Sequence, residues 1–375
     1  MNSDLSRRSL MSAIGSAALL SAGLPIAAQE DASWKPGPGM PREGVDTPKI
    51  GCPIDVRDLT ADEMRRVKQL GVHYVLSGGP RMPWKEEQLR MIVDALRAGG
   101  LTLGNLMIAG FPNTLYGRPG RDEEIENFKA SLRAAGKVGL PVMEYNFYAH
   151  RAVEGYYEED GRGGAGLTAF DAARVKDLPP LPQEGAHTLN EMWSNITYFL
   201  KAVIPVAEQC NVRLALHPND PPVAISRGSG QIMGTVEGWK RLIGIVDSPA
   251  NGITFDCGVT REMGHDPVEV CRYFGSRDRI NHVHFRNVRV RKPYDQYTEV
   301  FIDDGENNML AVMRELVRVK YTRMIYPEHE RALDYDRMVG IHNQYPGGGG
   351  YTGMVYDIAY ARAMLQASLL LEKGT

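Results

Sequence analysis

Four side chains with metal-binding chemistry sit at the ends of four successive apolar runs. His217 closes "VRLALHP", Cys257 closes "NGITFDCG", His284 lies late in "RINHVHFRN", and Glu328 lies late in "RMIYPEHE". Taken singly, a histidine at a strand end is most often a hydrogen-bonded structural residue, and a cysteine in an apolar run a small buried hydrophobe. Delivered together, two imidazoles, a thiolate and a carboxylate are the donor set of a divalent-ion site. By softness they suit Zn²⁺ or Fe²⁺ better than Mn²⁺. An ion there would act as a Lewis acid on a hydroxyl or carboxylate of a bound small molecule. His329 follows Glu328 with opposite parity along the strand, so it has the chemistry of a general acid or base rather than of a ligand. Arg286, two residues after His284, carries a planar fork suited to a carboxylate.

These donors meet only if the chain brings successive strand ends to one rim. Runs at 49–54, 72–78, 102–110, 141–149, 212–218, 251–258, 279–287 and 323–330 read as strands, with amphipathic helical segments between them. That alternation predicts an α/β protein, a (β/α)8 TIM barrel, whose chemistry lies at the C-terminal ends of its strands. Near-continuous apolar strands suit a parallel sheet covered on both faces. A doubly wound open sheet is the alternative, but no G-x-G-x-x-G follows the first strand. Parity groups His282 and His284 with Arg286, Cys257 with Phe255 and Ile253, and Glu328 with Tyr326 and Met324. Each proposed ligand is expected to point into the barrel. Thr60 with Glu63, and Thr188 with Glu191, have the spacing of capping boxes at helix starts. The longest insertion, about residues 150–187, follows strand 4 and is expected over the barrel mouth.

Other polar positions are weaker candidates. Asn146 and Tyr148 on strand 4, and Asn219 after strand 5, are the expected substrate-binding positions, although Asn219 and Asp220 equally suit a role in ordering their loop. Asp303 and Asp304 precede a helix and are expected to cap it. Tyr345 and Tyr351 flank the run "YPGGGGYTG" and are candidate proton donors.

The chain of 375 residues has a net charge of −3 and is 43% hydrophobic, which is ordinary globular composition with no basic footprint for nucleic acid. Arg7 and Arg8 precede a moderately apolar run that ends in small residues near Ala27 and Ala28. Residues 1–28 therefore read as a twin-arginine export signal, residues 29–48 as a Pro/Gly-rich linker, and residues 49–375 as a single barrel domain in the periplasm. The apolar run is too short, and too rich in Gly and Ser, for a membrane span. Cys52, Cys210, Cys257 and Cys271 are few and widely spaced, which fits buried thiols or a ligand better than a disulfide framework.

The segments "ENFKASLRAAGKVGLPVMEYNF", "YFLKAVIPVAEQCNVRLALHPNDPP", "VDSPANGITFDCG" and "RINHVHFRNV", with the Tyr-Pro-Gly run, resemble the mannonate dehydratase family over roughly residues 120–360. The resemblance implies a xylose-isomerase-like TIM barrel that uses Mn²⁺ or Fe²⁺. It implies removal of water from D-mannonate to give 2-dehydro-3-deoxy-D-gluconate. It puts metal ligands at His217, Cys257 and His284, with Glu328 standing where the family has Asp. It puts the catalytic His at His329, the Arg at Arg286, and the Tyr at Tyr345 or Tyr351. The family's use of Mn²⁺ overrides the softness ranking. Two departures stand out: Tyr326-Pro327-Glu328-His329 replaces an Arg-Pro-Asp-His run, and "YAHRAVEGYYEEDGRGG" replaces an Asp-Trp-Thr-Arg type of stretch after "YNF". The expected partner is a small-molecule sugar acid, with no nucleic acid and, after signal cleavage, no membrane; homo-oligomer formation stays open. The competing readings are a metal-dependent sugar isomerase or epimerase on the same barrel, and a sugar-acid binding protein without catalysis. Retention of His329 speaks against the second.

Overall fold

The apolar runs form strands because β-branched and aliphatic residues fit a pleated surface packed on both faces. In the computed structural model, residues 41–340, 343 and 345–373 are described. The export signal, and the linker before residue 41, lie outside them. Numbered along the chain, the barrel strands are β1 (Lys49–Pro53), β2 (Tyr74–Gly78), β3 (Thr102–Ile108), β4 (Val142–Tyr145), β7 (Arg213–Leu216), β10 (Asn251–Asp256), β11 (Ile280–His284) and β14 (Met324–Tyr326). They close in the order β1-β14-β11-β10-β7-β4-β3-β2, every pair parallel. The expected TIM barrel is therefore the observed fold.

Register fixes which side chains point inward, because paired residues of parallel strands share a face. Thr254 pairs with His282, Asp256 with His284, and His284 with Tyr326. On the far side of the barrel Glu144 pairs with Ala215. His217 and Glu328 continue the inward faces of β7 and β14 just beyond the last paired residues.

Helices cover the barrel and supply the core between the two layers. The helix Leu189–Gln209 starts with the full capping box, Thr188 and Glu191 each bonding the other's backbone. At the helix Ala61–Gln69 only half of the expected box forms. Thr60 accepts from the Glu63 N–H at 3.2 Å, while the Glu63 carboxylate faces the Asp55 N–H at 3.5 Å. Phe111, Phe128, Tyr145 and Phe199 pack against one another beneath β4, with Phe128 and Phe199 edge-to-face at 4.9 Å. No helix among the described residues is long and apolar enough to cross a membrane.

The main departure from the sequence expectation is a second sheet. The insertion after β4 folds as β5 (Tyr156–Asp160) and β6 (Gly166–Asp171). A second excursion, after β11, folds as β12 (Asn287–Arg291) and β13 (Gln296–Val300). They join as a four-stranded antiparallel sheet in the order β12-β13-β6-β5, while β8 (Ile225–Ser226) and β9 (Ser229–Gly230) form a short ribbon. Asp303 and Asp304 do not cap the following helix. Asn308 caps it, accepting from the Ala311 N–H, while Asp303 pairs with Arg162 and Asp304 with Arg289.

Candidate active site

Four inward-pointing donors converge at the C-terminal rim of the barrel. One ligand atom each from His217, Asp256, His284 and Glu328 lie within 4.8 Å of one another, and His284 is the hub. Its Nδ1 is 2.8 Å from Glu328 Oε1, 3.1 Å from His217 Nε2 and 4.0 Å from Asp256 Oδ2. Both rings are held from behind. His217 Nδ1 lies 2.7 Å from the Pro218 carbonyl oxygen, and His284 Nε2 lies 3.3 Å from Glu144 Oε1. Glu144 is itself fixed by Asn105 Nδ2 at 2.9 Å and Thr254 Oγ1 at 2.8 Å. An outer carbonyl or carboxylate behind each imidazole is the arrangement that sets tautomer and ring orientation in metal sites.

Cys257, the thiolate expected as a ligand, is not brought into this group by the structure. The reason is register. Asp256, paired with His284, takes the inward face of β10, and Cys257 starts the short helix Cys257–Glu262 as a buried residue of the hydrophobic core. Plain alternation along β10 puts Gly252, Thr254 and Asp256 on the inward face, since Gly252 pairs with Ala215 and Asp256 with His284, so Cys257 falls on the opposite phase.

The site buries more negative charge than its arginines neutralise. Glu144, Asp220, Asp256, Glu262, Glu299 and Glu328 are all buried. Arg286, 2% exposed, sits among them: Nε is 3.1 Å from Asp256 Oδ2, Nη1 is 2.8 Å from Glu262 Oε1, and Nη2 is 3.5 Å from Asp220 Oδ1. Nε and Nη1 are bonded to the protein's own carboxylates, which holds this cluster together, while the buried Nη2 makes no hydrogen bond. The surplus charge has consequences. Burial, reinforced by Glu328 and Asp220, pushes the Asp256 carboxyl up to about 6. Burial and neighbouring carboxylates also hold Glu262 well above the ordinary range. Burial and His284 push His217 down to about 4, which keeps it neutral with a free lone pair. Glu328 Oε1 is buried against His284 Nδ1 at 2.8 Å and Arg286 Nε at 3.4 Å. A neutral imidazole beside clustered buried carboxylates is the environment that a divalent cation satisfies.

Beside this group opens a cavity of about 220 Å³, lined among others by Glu328, His329, Tyr345, Glu299 and Thr168. His329 has a left-handed backbone, φ 54°, a conformation that costs a non-glycine residue roughly 1–3 kcal/mol and is found at functional sites. Its Nε2 is 3.6 Å from Glu328 Oε2 and its Nδ1 2.9 Å from Glu299 Oε2. Burial disfavours the charged ring, but Glu299 and Glu328 outweigh it and raise the His329 pKa. Tyr345 faces the same space. Its hydroxyl oxygen accepts from Arg151 Nη1 at 2.5 Å, which leaves its own proton available.

The remaining expected residues divide. Tyr351 opens the last helix and does not line the cavity. Asn219 is spent on its own loop: Oδ1 accepts from the Met233 N–H at 2.7 Å and Nδ2 donates to Gln231. Asn146 contacts the Met107 sulfur at 3.9 Å. Tyr148 is held near Arg151, Tyr345 and Asp220, with burial raising its pKa. Sequence reasoning missed Glu144, Asp256, Glu299, Arg151 and Arg331, and left Asp220 as a loop residue. Asp220 binds Arg151 Nη2 at 2.9 Å and the Tyr156 hydroxyl at 3.2 Å, tying the accessory sheet to the end of β7. The available signal was a lone carboxylate inside an apolar strand, as in "PVMEYNF".

The sequence model described as D-mannonate dehydratase (UxuA) matches residues 186–373. A mannonate dehydratase of Streptococcus equi subsp. zooepidemicus is 30% identical over 296 residues, which is 72% of this chain and 79% of that protein. The chain belongs to the mannonate dehydratase family. The mannonate dehydratase of Thermotoga maritima is likewise 30% identical over 289 residues, 67% of this chain and 79% of that protein. The crystal structure of mannonate dehydratase from Streptococcus suis serotype2 superposes with a TM-score of 0.77 at 25% identity, covering 87% of this chain and 96% of that one. An L-ribulose 3-epimerase shares the fold alone, with a TM-score of 0.55 at 11% identity. Within the mannonate dehydratase family, this chain presents Glu328 and Asp256 at the rim and a buried Cys257 between them and the helical layer.

Proposed function

We propose that this protein is a hydro-lyase that dehydrates D-mannonate to 2-dehydro-3-deoxy-D-gluconate, with a divalent cation, Mn²⁺ or Fe²⁺, at the rim of its barrel. Family membership carries the substrate. The convergence of His217, His284 and Glu328, joined in this structure by Asp256, carries the metal. When bound, the cation supplies Lewis-acid polarisation of substrate oxygens.

The chain's own residues supply the rest. Glu144 and the Pro218 carbonyl hold the two imidazoles in the ligating tautomer. Dehydration takes the proton from the carbon next to the carboxylate and expels the hydroxyl of the following carbon. Water leaves with that proton, so the reaction is proton-neutral overall. His329 and Tyr345 are the proton-bearing side chains that face the cavity. His329, with Glu299 behind its Nδ1, presents Nε2 to take the proton from the carbon next to the carboxylate. Tyr345, a neutral donor bonded by Arg151, gives its proton to the departing hydroxyl, and return of the proton from His329 to Tyr345 restores both groups. Tyr345, Thr168 and Asn343 give the cavity polar groups for the hydroxyls of an acyclic sugar acid. The reading includes export through the Arg7-Arg8 signal, so that the working enzyme is the mature chain.

The test is direct. Mature protein loaded with Mn²⁺ is incubated with D-mannonate and with other aldonates, and the product is followed as a 2-keto-3-deoxy acid. Its formation from D-mannonate in preference to the others is the expected result. Exchange of the α-hydrogen with solvent without loss of water would overturn the reading in favour of an isomerase or epimerase.

A further inference from the structure

The accessory sheet contributes a charged side chain to the chemistry. Glu299 lies on β13, a strand that follows β11 and is no part of the barrel, yet it is 3% exposed and lines the cavity. Its neighbours on either side are β6 and β12, through the pairs Glu299–Thr168 and Glu299–Val288. Its Oε2 sits 2.9 Å from His329 Nδ1 and also 2.9 Å from Arg331 Nη2. Arg331, 2% exposed, is saturated by the same pair of residues. Nη2 holds the Glu299 carboxylate, Nη1 donates to the Glu299 carbonyl at 3.3 Å, and Nε donates to the His329 carbonyl at 2.6 Å.

We propose that Glu299, clamped by Arg331, is a positioning residue that fixes the orientation of the His329 ring and keeps its Nδ1 the protonated nitrogen facing away from the substrate. The inference deepens the dehydratase reading and rests on it for the identity of the reaction, though not for the contact itself.

Three observations converge on it. First, the other face of the ring, Nε2, is the one beside Glu328, so a carboxylate behind Nδ1 directs Nε2 toward the metal rim and the cavity. Second, the left-handed backbone of His329, φ 54°, turns its side chain out of the strand path. The Arg331 bond to the His329 carbonyl holds that turn in place. Third, the sheet is locked at this spot. Gly166 on β6 bridges to Ala332, and the Thr168 hydroxyl donates to the Pro346 carbonyl at 2.7 Å. The sheet therefore acts as a brace for one imidazole, and not merely as a cover over the mouth. A carboxylate behind a catalytic imidazole sets which nitrogen reacts, and loss of such an outer partner commonly costs 10–100-fold.

The experiment compares Glu299→Gln, Glu299→Asp and wild type, each loaded with Mn²⁺, for kcat and KM on D-mannonate and for metal content. Imidazole nitrogen NMR on histidine-labelled, Mg²⁺-loaded protein is run in parallel, with His329→Gln identifying the His329 signals. Glu299→Gln is expected to lower kcat roughly 10–100-fold with KM and metal stoichiometry unchanged. Glu299→Asp, which keeps the charge, is expected to recover part of kcat. The His329 Nδ1 proton signal should be lost or moved in Glu299→Gln. Should Glu299→Gln fail to fold, Arg331→Lys takes its place, with the same kcat-only loss expected. Wild-type kcat in Glu299→Gln, equal damage in Glu299→Gln and Glu299→Asp, or loss of metal along with turnover overturns the proposal. A wild type inactive on D-mannonate overturns the substrate reading alone, and the nitrogen signals then decide the brace.

Discussion

The two sides of the barrel are built differently. Strands β1 to β3 read KIGCP, YVLSG and TLGNLMI, and after Lys49 carry no charged side chain. Strands β4, β7, β10, β11 and β14, with the residues just beyond them, bring Glu144, His217, Asp256, His282, His284 and Glu328 into the same closed interior. A buried charge is costly unless it is paired. Here that cost is gathered on one side, next to the accessory sheet and the cavity, while the other side is left as packed apolar scaffold. The lesson is that charged strand ends in this molecule mark chemistry, and apolar ones mark support.

Substitutions on each side can break that division. The largest effect is expected at His329, where His329→Ala should lower kcat by roughly 10²–10⁴-fold while bound metal stays at the wild-type level. Steady-state kinetics with elemental analysis measures both, and a near-normal rate would remove His329 from the mechanism. A smaller effect, of the opposite kind, is expected on the scaffold side. Leu106 on β3 is fully buried, and Leu106→Ala should cost about 2–5 kcal/mol of stability with kcat per folded molecule little changed. Urea unfolding and the same kinetic assay test it. A large kcat loss at unchanged stability would show that the two sides are not separable.

The same contrast explains what the sequence disclosed. The barrel was legible because its strands are near-continuous apolar runs separated by amphipathic helices. His217, His284 and Glu328 were legible because each stands where such a run stops. Asp256 was not, because both phases of β10 look alike in sequence, and only the pairing of Gly252 with Ala215 and of Asp256 with His284 shows which one faces inward. Glu299 and Arg151 were hidden for another reason. Glu299 lies on one of two hairpins, far apart in the chain, that meet only as one sheet, and Arg151 stands just ahead of the other. The turn residues Asp160-Gly161 and the alternation in "NVRVRKPYDQYTEV" were present as hairpin signals. Pairing between the two hairpins was not. Asn219 looked like a pocket residue by its place after His217, yet its amide is consumed by Gln231 and Met233.

The central claim is that the charged strand ends hold a divalent cation. Elemental analysis of the mature chain purified with Mn²⁺, set beside His217→Ala and His284→Ala, tests it most directly. Running Asp256→Ala and Cys257→Ala in the same series decides the adjacent fourth donor, where the structure places the carboxylate and the family resemblance implies the thiolate. The account predicts stoichiometric Mn²⁺ in the wild type and none in either histidine variant. Stoichiometric metal retained in both histidine variants would contradict it.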